Sequence, residues 1–116
     1  MENRIPAMKY IDKKTGDVYE LDFTRDSVKF AETRGFDLTS IAKFPVLGIS
    51  DLFYYAFRAH HKSVSREKTD KMLEKLGGLT DAALQRLISL YNQAGSSNLI
   101  QDEEELAKNE EAGLEL

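Results

Sequence analysis

The stretch from Phe44 to His61, FPVLGISDLFYYAFRAHH, constrains the fold more than any other part of the chain. Pro45 suits the first position of a helix, because its missing backbone N–H would have no partner there. At helical spacing, Asp51, Tyr55 and Arg58 fall on a narrow polar stripe, and the rest of the circumference is largely apolar. This pattern predicts a central core helix packed by neighbours on several sides. The predicted apolar face consists of Val46, Ile49, Leu52, Phe53, Ala56, Phe57 and His60.

Length and composition predict one small domain with one core. The chain has 116 residues, of which 41% are hydrophobic and 31% are charged. It has no cysteine, which excludes disulfides and cysteine-based chemistry and favours a reducing, cytoplasmic location. The N-terminal segment MENRIPAMKY has no apolar run, so we expect no secretory signal. The longest apolar segment is interrupted too often to predict a membrane span.

Charge is distributed unevenly along the chain. Residues 101–116 carry seven acidic residues and one lysine, a net charge of −6 within a total of −4, so residues 1–100 carry +2. The acidic segment has no aromatic residue and few apolar ones, and we therefore expect residues 96–116 to form a flexible acidic tail. The nearly neutral remainder argues against a dedicated nucleic-acid-binding protein, which needs a strongly basic face.

Residues 7–23 are predicted to form a β-hairpin. Tyr19, Leu21 and Phe23 alternate with acidic residues, the period-two pattern of a strand with one buried face. Gly16, in the KKTGD segment between the arms, can adopt the positive φ that a tight turn requires. Because an isolated hairpin is only marginally stable in water, its apolar face must pack on the helices or on another chain.

Local signals predict three helices around the central one. The first runs from about Arg25 to Arg34, and Thr24, Ser65 and Thr80 are the predicted N-caps of the first, third and fourth helices. The expected buried stripe of the third helix is Thr69, Met72, Leu73 and Leu76. The predicted fold is therefore α+β: a short N-terminal β-hairpin packed on a compact bundle of about four helices. We assign residues 1–95 to this single domain.

The titratable residues form no recognisable catalytic or metal-binding motif. His60 and His61 are adjacent, and adjacent side chains on a helix point about 100° apart, so they cannot chelate one ion well. We expect His60 to complete the apolar face and His61 to be solvated. The DEEE segment at 102–105 lacks the spacing and glycine of a calcium loop. The sequence therefore predicts a protein that is not an enzyme and that has no cofactor and no metal site.

Two surfaces are candidates for binding a partner. Tyrosine is enriched at protein interfaces, and the predicted partner-binding residues are Asp51, Tyr54, Tyr55 and Arg58. The alternative is a small regulatory or nucleic-acid-binding protein that uses the basic face of residues 58–75. Acidic residues interleave with those cations, which favours an ordinary solvated face. The cations are Arg58, Lys62, Arg66, Lys68 and Lys71.

Three segments together resemble the small tail assembly chaperones of siphophages. These are YELDFTRDSVKFAETRGFD at 19–37, FPVLGISDLFYYAFRAHHKSVSREKTDKMLEKLGG at 44–78 and LISLYNQA at 87–94. The resemblance covers roughly residues 10–95. It implies a non-enzymatic protein in the host cytoplasm that keeps the tape measure protein soluble and helps to recruit the tail tube protein. It also implies self-association, but no functional residue of that family has a motif sharp enough to transfer to this chain.

Overall fold

The computed structural model describes residues 4–96, and the fold is α+β as predicted. Apart from Ser96, the predicted acidic tail lies outside the described residues. Within the described part, no helix has both the length and the apolar character needed to cross a membrane. The elements are β1 (Met8–Ile11), β2 (Val18–Leu21), α1 (Arg25–Thr33), α2 (Thr39–Lys43), α3 (Pro45–Ala56), α4 (Arg66–Leu76) and α5 (Asp81–Gly95).

The predicted hairpin forms and packs on α3. Strands β1 and β2 are antiparallel, with Tyr10 opposite Tyr19, and Gly16 has a φ of 81° in the connecting turn. Tyr10 lies 6.4 Å from the Phe53 ring and Tyr19 lies 5.8 Å from the Phe57 ring, between centroids. The hairpin thus covers the C-terminal half of α3. The helix in turn supplies the apolar surface that an isolated hairpin lacks.

The predicted N-caps are confirmed. Thr24 Oγ1 accepts the Ser27 N–H at 3.1 Å, and Ser27 Oγ accepts the Thr24 N–H at 2.8 Å, which is a reciprocal capping box. Ser65 and Thr80 each accept a backbone N–H three residues later, at the starts of α4 and α5. These local bonds fix where the helices begin without help from the core.

Helix α3 lies at the centre of the domain and contacts α1, α2, α4 and α5. Its C-terminal half supplies side chains that are almost fully buried. They pack with the inner faces of α1 and α5 and with the apolar face of the hairpin. The members of this core are Tyr10, Leu21, Phe23, Val28, Ala31, Phe36, Leu52, Phe53, Tyr55, Ala56, Phe57, Met72, Leu87, Leu90, Tyr91 and Ala94.

The end of α3 differs from the prediction. The helix ends at Ala56, and the chain turns so that the Phe57 carbonyl accepts the backbone N–H of His61 at 2.7 Å. His61 is partly buried against Tyr19, with ring centroids 5.2 Å apart, whereas His60 is exposed. The expected roles of the two histidines are therefore wrong, because the turn after Ala56 points His61 at the hairpin.

The end of α4 also differs from the prediction. Leu76 was expected in the buried stripe, but it is exposed next to Lys75 and the hairpin residue Ile11. It is the last residue of α4, and Gly77 then reverses the chain with a φ of 75°. Leu73, one turn earlier, still packs against the core, whereas Leu76 at the end of the helix lies beside the exposed Ile11 and stays about half exposed.

Candidate partner-binding surface

The corner between α2 and α3 is a close contact of two backbones. A Cβ atom added to Gly48 would lie 2.7 Å from the Ile41 Cα and 2.8 Å from the Ser40 carbonyl oxygen. The Phe44 N–H donates to that Ser40 carbonyl at 2.8 Å, and the Gly48 N–H donates to the Phe44 carbonyl at 2.7 Å. Glycine at this position thus allows α2 to cross the start of α3 and fixes the direction of the residues between them.

The residues at this corner point outward, although they are apolar. Phe44 is 63% exposed, Val46 is 85% exposed and Leu47 is 56% exposed. We call these three residues the corner patch. They line a shallow, open depression of about 570 Å³, whose other lining residues are Lys43, Pro45, Ser50 and Arg66. Contiguous exposed apolar side chains with a polar rim are typical of binding surfaces rather than of ordinary protein exterior.

Val46 was expected in the buried face of the central helix, and that expectation is wrong. The backbone contact with α2 lies at Gly48, whereas Val46 is 85% exposed and Arg66 of α4 lines only the same open depression. One sequence signal could have revealed this. A helix that is apolar around most of its circumference needs neighbours along its whole length, and a chain with so few helices cannot supply them.

Asp51 and Tyr54, both predicted to bind a partner, lie beside the corner patch and contact Arg66 of α4. Arg66 donates to Asp51 Oδ1 at 2.7 Å and to Asp70 Oδ1 at 2.9 Å, and its guanidinium lies 5.9 Å from the Tyr54 ring centroid. Burial disfavours the charged form of Arg66, but the hydrogen bonds to Asp70 and Asp51 outweigh it and raise its pKa. Arg66 is thereby held as a fixed cation at the rim of the patch.

Tyr55 was expected on the exposed polar stripe, and the structure places it in the core. Its side chain is 8% exposed, and its ring centroid lies 6.1 Å from that of Phe30 and 5.4 Å from that of Phe36. Burial, followed by the negative charge of Asp51, raises the pKa of the Tyr55 hydroxyl. Helix α1 and the residues that follow it cover this side of α3, so Tyr55 is not available to a partner.

Arg58 lies away from Asp51 and Tyr54, on the side that faces α1. Its guanidinium carbon lies 3.8 Å from the Phe30 ring centroid, a close cation–π contact. Arg58 also lines a separate depression with Lys62 and residues of α1. The structure therefore brings together two of the four predicted binding residues, Asp51 and Tyr54, and adds the corner patch, which the sequence pattern did not indicate as a surface.

The predicted basic face of residues 58–75 is divided among several contacts. Arg58 covers Phe30, Arg66 pairs with Asp51 and Asp70, and the Lys68 ammonium lies 5.3 Å from the Tyr19 ring centroid. Three of the five cations thus have intramolecular partners. This division gives the nucleic-acid alternative no structural support.

Comparison with known proteins shows the family to which the chain belongs. The model of a family described as a domain of unknown function (DUF5055) matches residues 1–116. No curated protein and no solved structure matches the chain.

Proposed function

We propose that this chain, which belongs to the DUF5055 family, is a non-enzymatic tail assembly chaperone that binds the tape measure protein of a phage. The observation that carries the proposal is the corner patch, three large apolar side chains held in solvent at the start of α3. The resemblance of residues 10–95 to siphophage tail assembly chaperones implies that the client is the tape measure protein. We place the protein, on the same basis, in the host cytoplasm, where it also assists recruitment of the tail tube protein.

The chemistry of the patch suits a long helical client. An amphipathic helix binds through apolar residues spaced three and four positions apart, and such residues can pack on Phe44, Val46 and Leu47. Removing these side chains from water supplies the main favourable free energy of binding. Lys43 and Arg66 line the same depression, so they can contact acidic residues that flank the apolar stripe of the client.

The patch is also held rigidly before any partner arrives. The backbone contact at Gly48 fixes the angle between α2 and α3, and the Asp51–Arg66 ion pair joins α3 to α4. A surface that needs little ordering on binding loses less conformational entropy. The supporting residues therefore contribute to affinity even where they do not touch the client.

The experiment that tests the proposal is co-expression with the tape measure protein encoded by the same phage. We compare the wild type with a Val46→Ser/Leu47→Ser variant and with a matched Val18→Ser/Leu76→Ser variant. Val18 and Leu76 are each 51% exposed and lie outside the corner patch. We expect the wild type and the matched control to keep the client soluble and to co-elute with it, and the corner variant to lose most of the complex.

Two results would overturn the proposal. One is a client whose solubility is the same with and without the wild-type protein. The other is a corner variant that forms as much complex as the wild type. Circular dichroism of each variant shows whether it is folded, and light scattering of the purified protein tests the self-association that the resemblance implies.

A further inference from the structure

Three potential metal ligands converge where the hairpin meets the end of α3. Glu20 and Asp22 are two residues apart on an extended segment, so their side chains point to the same side. The turn after Ala56 brings His60 to them. His60 Nε2 lies 3.1 Å from Glu20 Oε2 and 4.0 Å from Asp22 Oδ2. The three ligand atoms all lie within 4.8 Å of one another.

Hydrogen bonds outside the cluster hold its ligands in place. The Glu20 N–H donates to His61 Nε2 at 2.9 Å, and the Asp22 N–H donates to the Ala56 carbonyl at 3.0 Å. The Phe23 N–H donates to Asp22 Oδ1 at 2.8 Å, which leaves Oδ2 facing His60. The first two bonds fix the backbone that carries the carboxylates, and the third holds the Asp22 carboxylate itself, as outer hydrogen bonds do at protein metal sites. His61, which cannot chelate together with His60, instead anchors the strand that carries Glu20.

We propose that Glu20, Asp22 and His60 bind a zinc ion. One imidazole nitrogen and two carboxylate oxygens form a ligand set that zinc accepts, with water in the fourth position. Tetrahedral zinc with bonds of about 2.0–2.2 Å places its ligand atoms roughly 3.3–3.6 Å apart. The His60–Glu20 separation of 3.1 Å and the His60–Asp22 separation of 4.0 Å lie on either side of this range, so shifts of a few tenths of an ångström would bring both separations into it.

The nature of the ligands also selects against the commonest cellular cations. Calcium and magnesium prefer shells made only of oxygen, with six or more ligands, and magnesium keeps much of its water. The imidazole of His60 favours zinc and similar transition metals instead. A zinc ion here would link the hairpin directly to the segment after α3, and it would stabilise the folded chain because the unfolded chain does not assemble the three ligands.

Calorimetric titration of the full chain with zinc chloride, after removal of metals with a chelator, tests this site. The variants are His60→Gln and Glu20→Gln, and the matched control is Glu74→Gln, which makes the same change at an exposed position of α4. We expect one zinc ion per wild-type chain and a higher melting temperature with zinc. The two site variants should bind at least about tenfold more weakly, and the control should bind like the wild type.

The design separates this site from weaker binding by acidic residues elsewhere. The acidic residues at 101–116 are present in every variant, so their contribution is the same background in each titration. The absorption spectrum of the cobalt-substituted wild type gives a second readout, because four-coordinate cobalt absorbs strongly in the visible range. No saturable binding by the wild type, or equal affinity in His60→Gln and Glu20→Gln, would overturn the proposal.

Discussion

The two ends of α3 have similar residues but opposite environments. Val46 and Leu47 in its first turn are exposed, whereas Leu52 and Phe53 in its second half are almost completely buried. The difference comes from the neighbours: the second half is covered by the hairpin and by α1 and α5, and the first turn extends past them beside α2. The apolar residues of a helix therefore mark the surface that it can bury. Which part of that surface is buried depends on the elements packed around it.

The largest expected effect is at the buried end. Replacing Phe53 by alanine leaves a cavity between Tyr10 and Phe57, whose rings lie 6.4 Å and 5.2 Å from that of Phe53. We expect the free energy of unfolding to fall by about 3–5 kcal/mol, from lost transfer free energy and from the cavity. Urea denaturation followed by circular dichroism measures the change.

The matched substitution at the exposed end is Val46→Ala. Val46 is already in solvent, so we expect the free energy of unfolding to change by no more than about 0.5 kcal/mol. A loss at Val46 comparable to that at Phe53 would mean that the first turn is buried in solution, and the contrast between the two ends would then be wrong.

The next largest effect is expected at Gly48, which lies between the two ends. An alanine Cβ would meet the backbone of Ile41 and Ser40 at 2.7–2.8 Å, and backbone atoms cannot move away as a flexible side chain can. We expect Gly48→Ala to lower the free energy of unfolding by about 1–3 kcal/mol, although alanine favours the helix more than glycine does. Thermal melting measures this, and complex formation with the client should also weaken because the corner patch moves.

Gly95→Ala is the control for this prediction. Gly95 also lies in a helix, but the nearest atom to an added Cβ is Val28 Cγ1 at 3.8 Å, an ordinary contact distance. We expect this variant to be at least as stable as the wild type. If Gly48→Ala and Gly95→Ala have equal stability, α2 and α3 are not in close contact.

A smaller effect than those at Phe53 and Gly48, and one of opposite sign, is a gain within the core itself. Among the described residues, the Tyr91 hydroxyl is buried without a hydrogen-bond partner, while its ring packs 5.1 Å from that of Phe23. Burying an unpaired hydroxyl is unfavourable, so we expect Tyr91→Phe to raise the free energy of unfolding by about 1 kcal/mol. A clear loss of stability would show that the hydroxyl has a partner in solution.

Tyr91 also makes the free energy of unfolding depend on pH in the alkaline range. Burial, followed by the nearby charges of Glu32 and Asp37, raises the pKa of Tyr91 to about 12. The unfolded chain releases this proton near its ordinary pKa of about 10. The free energy of unfolding is therefore unaffected by this group below about pH 10 and falls between about pH 10 and pH 12. Tyr91→Phe should lose less stability than the wild type over this range, as measured by urea midpoints.

Local signals predicted the elements of this fold well because their causes are local. The hydroxyls of Thr24, Ser65 and Thr80 bond to backbone groups three residues away, and Gly77 takes the positive φ that ends α4. The alternation in the second strand likewise predicted that Leu21 and Phe23 would be buried. None of these features depends on how the helices pack together.

The candidate surface was predicted only in part, since it depends on packing between distant segments. Asp51 and Tyr54 were expected at a binding surface and do lie beside the corner patch, but Tyr55 is buried by Phe30 and Phe36. The exposure of Val46 follows from the position of α2, which periodicity cannot show. Burial of one helical face is a property of its neighbours as well as of its residues.

The sequence by itself determined the order of the hairpin and the four longer helices, the caps of α1, α4 and α5, and the apolar character of the segment from Phe44 to His61. These features rest on hydrogen bonds and side-chain periodicity within a few residues. The tertiary structure alone decided that α3 would end at Ala56, that its first turn would stay in solvent, and that His60 would meet Glu20 and Asp22. The reason is physical: a contact between segments far apart in the chain depends on the packing of the whole domain, and no local pattern contains it.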